Sequence, residues 1–599
     1  MNYPQIKPTL NLDFSNTKTL DPRINFRRGT PGAYYDGKTY AKAEENLLSY
    51  SEDFSNVSWA KLGSAAAANS ILSPNGVDDS YTLTASATTG QHAVYRRDAS
   101  PFLNEKITLS VFVKAGTNNK VLLGNVFSGE SLSVDLSNQE IRTAGDILSY
   151  NITDVGDGWF RLSFTYLNDD PTFFDDNGLG VYILDDNWSH NFTAGGTETV
   201  HIWGAQLEQR NSVTAYTPTN GNPTTKYQPQ LMFASPDQPR FDHDVLTGES
   251  KGLLIEESRT NLIEYSEDFL LGGWRKHQND SSFNYLFVEE NSTVSPGGKV
   301  DASKVYITQG MPSTSAGFIE RDNTIADNTI YTASIYAKKA EYKMLSFQFQ
   351  TKDSIYRAIV VDLNDGVISS SGDVVSSSIE NVGNGWYRVG FSFDSKTGGT
   401  QPRMIIQVRN DSGSANLQTN KGIYIWGAQL EVGSFPTSYI KTSGASATRS
   451  ADNASITGEN FSSWYRQDEG SLYSEVSTFD ATAGRSRISL GDPNNRIFMA
   501  NGTYSLYVQS GANVQVNLSS NASSNRYVKR AVALKQNDFA VCFDGASNLL
   551  TDSDGLMPFV DNLKFTDESG SANYINGHIK KLSYYPQRLT NEQLQQLTK

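Results

Sequence analysis

One segment of this chain is written twice. NLLSYSEDFSNVSWAK begins at Asn46 and NLIEYSEDFLLGGWRK at Asn261. The correspondence continues: ITLSVFVKAG from Ile107 matches YTASIYAKKA from Tyr331, and DVGDGWFRLSF from Asp154 matches NVGNGWYRVGF from Asn381. HIWGAQLEQRNSVTAYTPT from His201 matches YIWGAQLEVGSFPTSYIKT from Tyr424. The offset between partners drifts and partly returns, as it does when insertions fall in loops between fixed strands. Six of the eight tryptophans are paired in this way: Trp59 with Trp274, Trp159 with Trp386, and Trp203 with Trp426. A duplicated domain therefore occupies residues 46–220 and 261–443. It leaves a leader at 1–45, a connector at 221–260 and a distinct region at 444–599.

Each copy reads as strands. The chain is rich in Gly, Ser, Thr, Asn and Asp, its aromatic fraction is 11 % and its charged fraction only 19 %. Such a composition favours short strands joined by turns, with aromatic rings filling thin sandwich cores. The region from 444 adds EGSLYSEVSTF and VKRAVALKQNDFAVCFDGAS, which read as strands with turns at Asn537 and Asp544. Its end holds one more strand and a short helix, with Thr590 and Gln593 in capping-box spacing. The predicted fold class is all-β: two homologous jelly-roll β-sandwiches in tandem, then a third sandwich closed by a C-terminal helix.

Several functions are disfavoured. A formal charge of −15 without a Lys/Arg cluster argues against nucleic acid and anionic membranes. No apolar run is long enough to span a bilayer, and MNYPQIKPTLNLDF lacks the regions of a signal peptide. A single cysteine, Cys542, excludes an internal disulfide framework, and six scattered histidines argue against a zinc site. G-x-S-x-G, H-E-x-x-H and P-loop phrases are absent, and no carboxylate pair stands out for glycoside hydrolysis. The chain reads as non-enzymatic, with no catalytic residue and no cofactor. Structural calcium is an option at the acid-rich YLNDDPTFFDDNG from Tyr166 and TDSDG from Thr551, where solvated loop is the competing reading.

Strand alternation sorts the candidate binding residues. In DGWFRLSF, Phe160, Leu162 and Phe164 face one side and Trp159, Arg161 and Ser163 the other. The second copy repeats the division with Tyr387, Val389 and Phe391 against Trp386 and Arg388. Phe112 and Lys114 oppose Val111 and Val113, as Tyr336 and Lys338 do in the second copy. In the last strand, strict alternation sets Trp203, Ala205 and Leu207 against Gln206 and Glu208, and Trp426, Ala428 and Leu430 against Gln429 and Glu431. Sugars present apolar C–H faces ringed by hydroxyls, so a glycan site needs an aromatic platform beside planar hydrogen-bonding groups. Phe112, Lys114, Trp159, Arg161 and Gln206 supply that set, as do Tyr336, Lys338, Trp386, Arg388 and Gln429. The same residues also suit an ordinary half-buried sheet face, with Arg stacked on Trp and the Gln–Glu pair satisfying backbone groups. Trp203 and Trp426 are expected in the core.

The leader LNLDFSNTKTLDPRINFRRGTPGAYYDGKTY and the phrases PRFDHDVLTGESKGLLIEESRTNL resemble bacteriophage tail-fibre and related virion structural proteins. The duplicated modules resemble carbohydrate-binding-module jelly rolls, and the last region resembles laminin G and concanavalin A-like domains. In such proteins the tyrosine-rich turn runs on into the PRFDHD phrase, whereas here a complete module intervenes, as if inserted into the leader. The resemblance implies a virion appendage assembled in the host cytoplasm, commonly a trimer, contacting other virion proteins and host-surface polysaccharide. A purely structural virion component and a polysaccharide depolymerase are the alternatives. The leader pieces PRINF and AYY are too short to form a core and should need another surface. TNGNPTTKYQPQ, from Thr219, reads as an exposed linker.

Overall fold

A computed structural model of the chain describes residues 6–69, 71–98, 103–125, 129–169, 177–278, 286–308, 317–479, 487–500, 506–519, 527–547, 549–567, 569–570 and 572–599. The chain is almost entirely β. Its described helices are Glu459–Ser462 and Asn591–Thr598, the second capped by Thr590 and Gln593 in the expected capping box. No described helix is long and apolar enough to cross a membrane.

The duplication is visible in the sheets. In the first module one sheet runs in the order Ile147–Gly156, Trp159–Asn168, Glu105–Ala115, Thr199–Glu208, Tyr81–Ala85, Ser64–Ala68. The second module repeats it with Ser376–Gly383, Trp386–Asp394, Ile330–Lys339, Gly422–Val432, Val300–Ile307 and Leu286–Val294. A second six-stranded sheet completes each sandwich. The inward rows lie where alternation puts them: Val111, Val113, Leu162 and Phe164 in one core, Ile335, Ala337, Val389 and Phe391 in the other. Trp59 and Trp274 join these cores and donate from Nε1 to the carbonyls of Tyr50 and Tyr265.

The repeated Asn46 and Asn261 are buried pins. Asn46 Nδ2 donates to the carbonyls of Ala205 and Thr217, and Asn261 Nδ2 to those of Ala428 and Ile440. Each side-chain oxygen accepts from the backbone of the opposite strand, at Leu207 and at Leu430. The shared opening phrase thus ties the start of each module to its last strand.

Strict alternation fails at the last strand. Between Phe112–Trp203 and Ser110–Gln206 the register gains a residue, and the second module does the same between Tyr336–Trp426 and Ser334–Gln429. The extra residue forms a bulge around Gly204 and Gly427, whose φ values are +60° and +64°. Trp203 and Trp426 therefore turn away from Ala205, Leu207, Ala428 and Leu430 and join the outward row with Trp159 and Trp386. A Cβ at Gly427 would sit 2.9 Å from Tyr336 Cδ2. Gly427→Ala combines that clash with a left-handed backbone, and a loss of about 1–2 kcal/mol is expected in the melting of the second module.

The leader's partner surface lies within the same chain. Leu10–Asp13 pairs with Gly577–Tyr585, Asn25–Arg27 pairs with Asn453–Thr457, and the connector strand Ser250–Ile255 extends Gly577–Tyr585 at its other end. Leu10, Leu12, Phe14, Ile24, Phe26, Leu253 and Ile255 are buried in the core of the third sandwich. The third sandwich is thus built from three separated pieces of sequence, with the first module looped out between leader and connector. The expected linker is also structured: Thr224–Pro229 pairs antiparallel with Tyr40–Asn46, and Gln228 is buried.

At the junction five charged side chains are sealed from water: Arg28, Arg240, Arg449, Glu256 and Asp452. Arg28 Nη1 lies 3.0 Å from Asp452 and Arg240 Nη1 2.8 Å from Glu256, while Arg240 Nη2 also reaches Asp452. Arg449 Nη1 stands 3.5 Å from Glu256 and donates from Nη2 to the Glu257 carbonyl. Leader, connector and third sandwich each contribute charges that the others neutralise.

Candidate functional site

The outward rows of the two modules carry the candidate residues, and the structure brings most of them together. In the second module Tyr336, Trp386 and Trp426 cluster with Tyr439, with Tyr336 and Trp426 rings 5.3 Å apart and Trp426 and Tyr439 rings 4.8 Å apart. The first module repeats this with Phe112, Trp159, Trp203 and Tyr216, where Trp203 and Tyr216 rings are 4.7 Å apart. Arg161 lies over the Phe112 ring at 5.2 Å, and Arg388 over Tyr336 at 5.5 Å.

The tryptophans are roofed rather than open. Trp159 Nε1 donates to the Leu72 carbonyl and Trp386 Nε1 to the Val294 carbonyl, and both indoles are fully buried. In the second module the roof is Ala33 and Tyr35 of the leader with Leu231 and Val245 of the connector. Gln206 and Gln429 are likewise buried: each accepts from a backbone N–H, of Thr217 and of Ile440, and Gln429 Nε2 donates to Glu431. Lys338 forms an ion pair with Glu44 at 2.5 Å. Burial works against the Glu44 charge, but Lys338 outweighs it and holds that carboxyl below its usual range. Lys114 is half-buried beside Trp159. The aromatic and amide parts of the predicted platform are therefore interior, and Arg161 and Arg388 mark where the outward face stays accessible.

Each arginine lines a cleft. That of the second module holds about 650 Å³ and is bordered by Tyr336, Arg388, Tyr35, Asp242, Phe479 and His578, so leader, connector and third sandwich all form its walls. His578 Nε2 and Asp242 Oδ2 are 2.8 Å apart, and Lys251 pairs with Glu380 at 3.4 Å. Burial pushes Asp242 up, but the hydrogen bond and charge of His578 bring it below its usual range. Burial also pushes the Tyr336 hydroxyl up to about 12, so it stays protonated at neutral pH. For Arg388 burial opposes the charge, yet Tyr336 and the carboxylates of Glu431, Glu380 and Glu256 more than restore it.

The cleft of the first module holds about 530 Å³ between Arg161, Tyr150 and Asn151 on one side and Glu289, Glu290 and Lys304 of the second module on the other. Arg161 donates to the Thr214 carbonyl and to Ser110 Oγ. Burial lowers its pKa against the pull of Glu208, whose own carboxyl burial raises. Of the two acid-rich runs, residues 170–176 lie outside the described residues. Among the described residues no group of three His, Cys, Asp or Glu is placed to hold a metal ion.

No protein-family model matches the chain, and no curated protein is similar to it. Among solved structures it is similar to the N-terminal CBM22-1-CBM22-2 tandem domain of Paenibacillus barcinonensis Xyn10C. The identity is 13 % over 66 % of this chain and 99 % of that one, at a TM-score of 0.20. A likeness of that size says nothing about what this chain binds.

Sequence reasoning missed Tyr216 and Tyr439, although both stand at the same place in the repeated phrases TAYTPT and TSYIKT. Tyr216 shares a hydrogen bond with Ser51, and Tyr439 with Ser266, each 2.7 Å long. Tyr35, Phe479 and His578 carry no repeat signal and reach the cleft only through the tertiary fold.

Proposed function

We propose that this chain is a non-catalytic glycan-binding component of a virion, a tail fibre or similar appendage whose duplicated sandwiches hold host-surface polysaccharide. The observation that carries the binding part is the recurrence, in both modules, of an arginine stacked over an aromatic ring in the lining of a cleft. Clefts of several hundred Å³ suit an oligosaccharide segment. Guanidinium and hydroxyl groups meet sugar hydroxyls, and ring edges meet the C–H faces. The virion part rests on the leader and connector phrases, and trimeric assembly belongs to the same proposal. The burial of Trp159, Trp386, Gln206 and Gln429 favours a second reading, in which the sandwiches are spacers and subunit contacts.

A glycan array probed with the labelled full-length chain separates the two. Saturable binding to a restricted set of oligosaccharides is expected, together with binding to host cells that periodate oxidation of their surface sugars abolishes. A blank array with unchanged binding to oxidised cells would leave the spacer reading.

A further inference from the structure

We infer that the cleft of the second module takes the carboxylate of an acidic sugar, carried on an otherwise neutral glycan, between Arg388 and the hydroxyl of Tyr35. The inference rests on the glycan-binding reading and names its ligand class.

The charged groups around this cleft are paired, with one exception. Lys251 is matched by Glu380, His578 by Asp242, and Glu256 by Arg240. Arg388 is in no ion pair within 4 Å among the described residues. Its hydrogen bond is one from Nη2 to Ser334 Oγ, at 3.3 Å, and its buried Nε–H has no acceptor. A guanidinium carries five N–H donors, so most of its capacity is unused.

A second donor stands beside it. Tyr35 is nine-tenths buried, and its hydroxyl has no hydrogen-bond partner among the described residues. Burial raises its pKa well above the usual phenol value, with Glu380, Arg388 and Asp242 the charged side chains that act on it and Tyr336 a neutral neighbour. All four border the same cleft as Tyr35, whose hydroxyl keeps its proton and is free to donate. A half-buried cation and a buried O–H with acceptors missing from both are complementary to an anionic oxygen pair. Charge-assisted bonds to a carboxylate are stronger than those to a neutral hydroxyl. The open mouth offers Phe479, partly exposed and edge-on to His578, against which a neighbouring sugar ring can lie.

The field of the whole chain limits the ligand further. A net charge of −15 repels a polyanion at long range, whereas one carboxylate within a screening length of about 10 Å senses mainly the local pair. The cleft therefore suits sparse acidic residues rather than a polyuronate. The first module offers no such site. Arg161 shares with Arg388 a buried Nε–H without an acceptor among the described residues, but it already donates to two acceptors, and Glu289 and Glu290 border its cleft and oppose a further anion.

The test uses an array of uronate-, sialate- and pyruvate-bearing oligosaccharides, each beside its carboxyl-reduced counterpart, probed with the full-length chain. At least one acidic glycan is expected to bind ten-fold or more tightly than its reduced form. Arg388→Gln should bring the two to parity, Tyr35→Phe should narrow the ratio several-fold, and Arg142→Gln, at an exposed arginine bordering neither cleft, should leave it unchanged. Because Arg388→Gln removes a half-buried cation, Arg388→Lys serves beside it, expected to fold and to keep part of the preference. Equal binding of acidic and reduced glycans, or a preference that survives both Tyr35→Phe and Arg388→Gln, overturns the inference while the glycan reading stands. No binding to any member overturns both.

Discussion

A fragment comprising residues 444–599 alone is expected to show no cooperative thermal transition. The core of the third sandwich includes Leu10, Leu12, Phe14, Ile24 and Phe26 of the leader and Leu253 and Ile255 of the connector. At about 1.5–3 kcal/mol per buried large apolar side chain, the loss is on the order of 10–20 kcal/mol. Domains of this size are stable by only about 5–15 kcal/mol. The fragment would also expose one full edge of Gly577–Tyr585, the strand that the leader and connector cover. Circular dichroism melts of the fragment beside the full chain check this. A sigmoidal melt of 444–599 near the full-length midpoint would mean that the leader is an accessory rather than part of the fold.

The second large effect is expected at the buried charge cluster. Asp452 meets Arg28 and Arg240 and also accepts the backbone N–H of Glu256. Asp452→Ala leaves three buried guanidinium groups with Glu256 as their remaining counter-charge, and uncompensated buried charges of this kind cost about 3–5 kcal/mol. The loss should appear in the transition of the third sandwich and leave the first module unchanged. The cluster also sets a response to acid. Burial pushes Glu256 up, but Arg449 and Arg240 outweigh it and hold the carboxyl far below its ordinary value of 4.5. A carboxyl depressed by folding stabilises the fold fully above its unfolded pKa, and that contribution fades as the pH falls toward the folded value. Stability of this sandwich should therefore decline from about pH 5 downward, and Glu256→Gln should flatten the decline. An unchanged acid profile in Glu256→Gln would place the acid sensitivity elsewhere.

The internal repeat made much of the architecture legible. Period-two alternation placed Leu162, Phe164, Val389 and Phe391 inward, and the repeated phrases located both modules. Alternation misled at Trp203 and Trp426 because one inserted residue reverses the side-chain face of everything beyond it. The signal was present: each tryptophan is followed by a glycine, the residue a left-handed bulge position favours. What could not be read was the roof. Nothing local in AYY or PRFDHD says that these segments cover the second module, because that contact joins positions hundreds of residues apart. The same distance hid the assembly of the third sandwich from leader, connector and C-terminal region. The arginines that line the clefts were legible because each alternates with inward aliphatic residues on a strand that occurs twice.

If saccharide enters the two outward-facing clefts, blocking them abolishes binding without removing any buried group. Asn151 and Ser378 are exposed, border the two clefts, and stand opposite Ser163 and Gly390 at equivalent positions of the two modules. Calorimetric titration with the oligosaccharide found on the array is to be run on the full chain, on Asn151→Trp, on Ser378→Trp and on the double variant. All four are expected to melt alike, each single variant to lose the binding of its own cleft, and the double variant to show none. Binding in the double variant equal to that of the unaltered chain would place the saccharide outside both clefts.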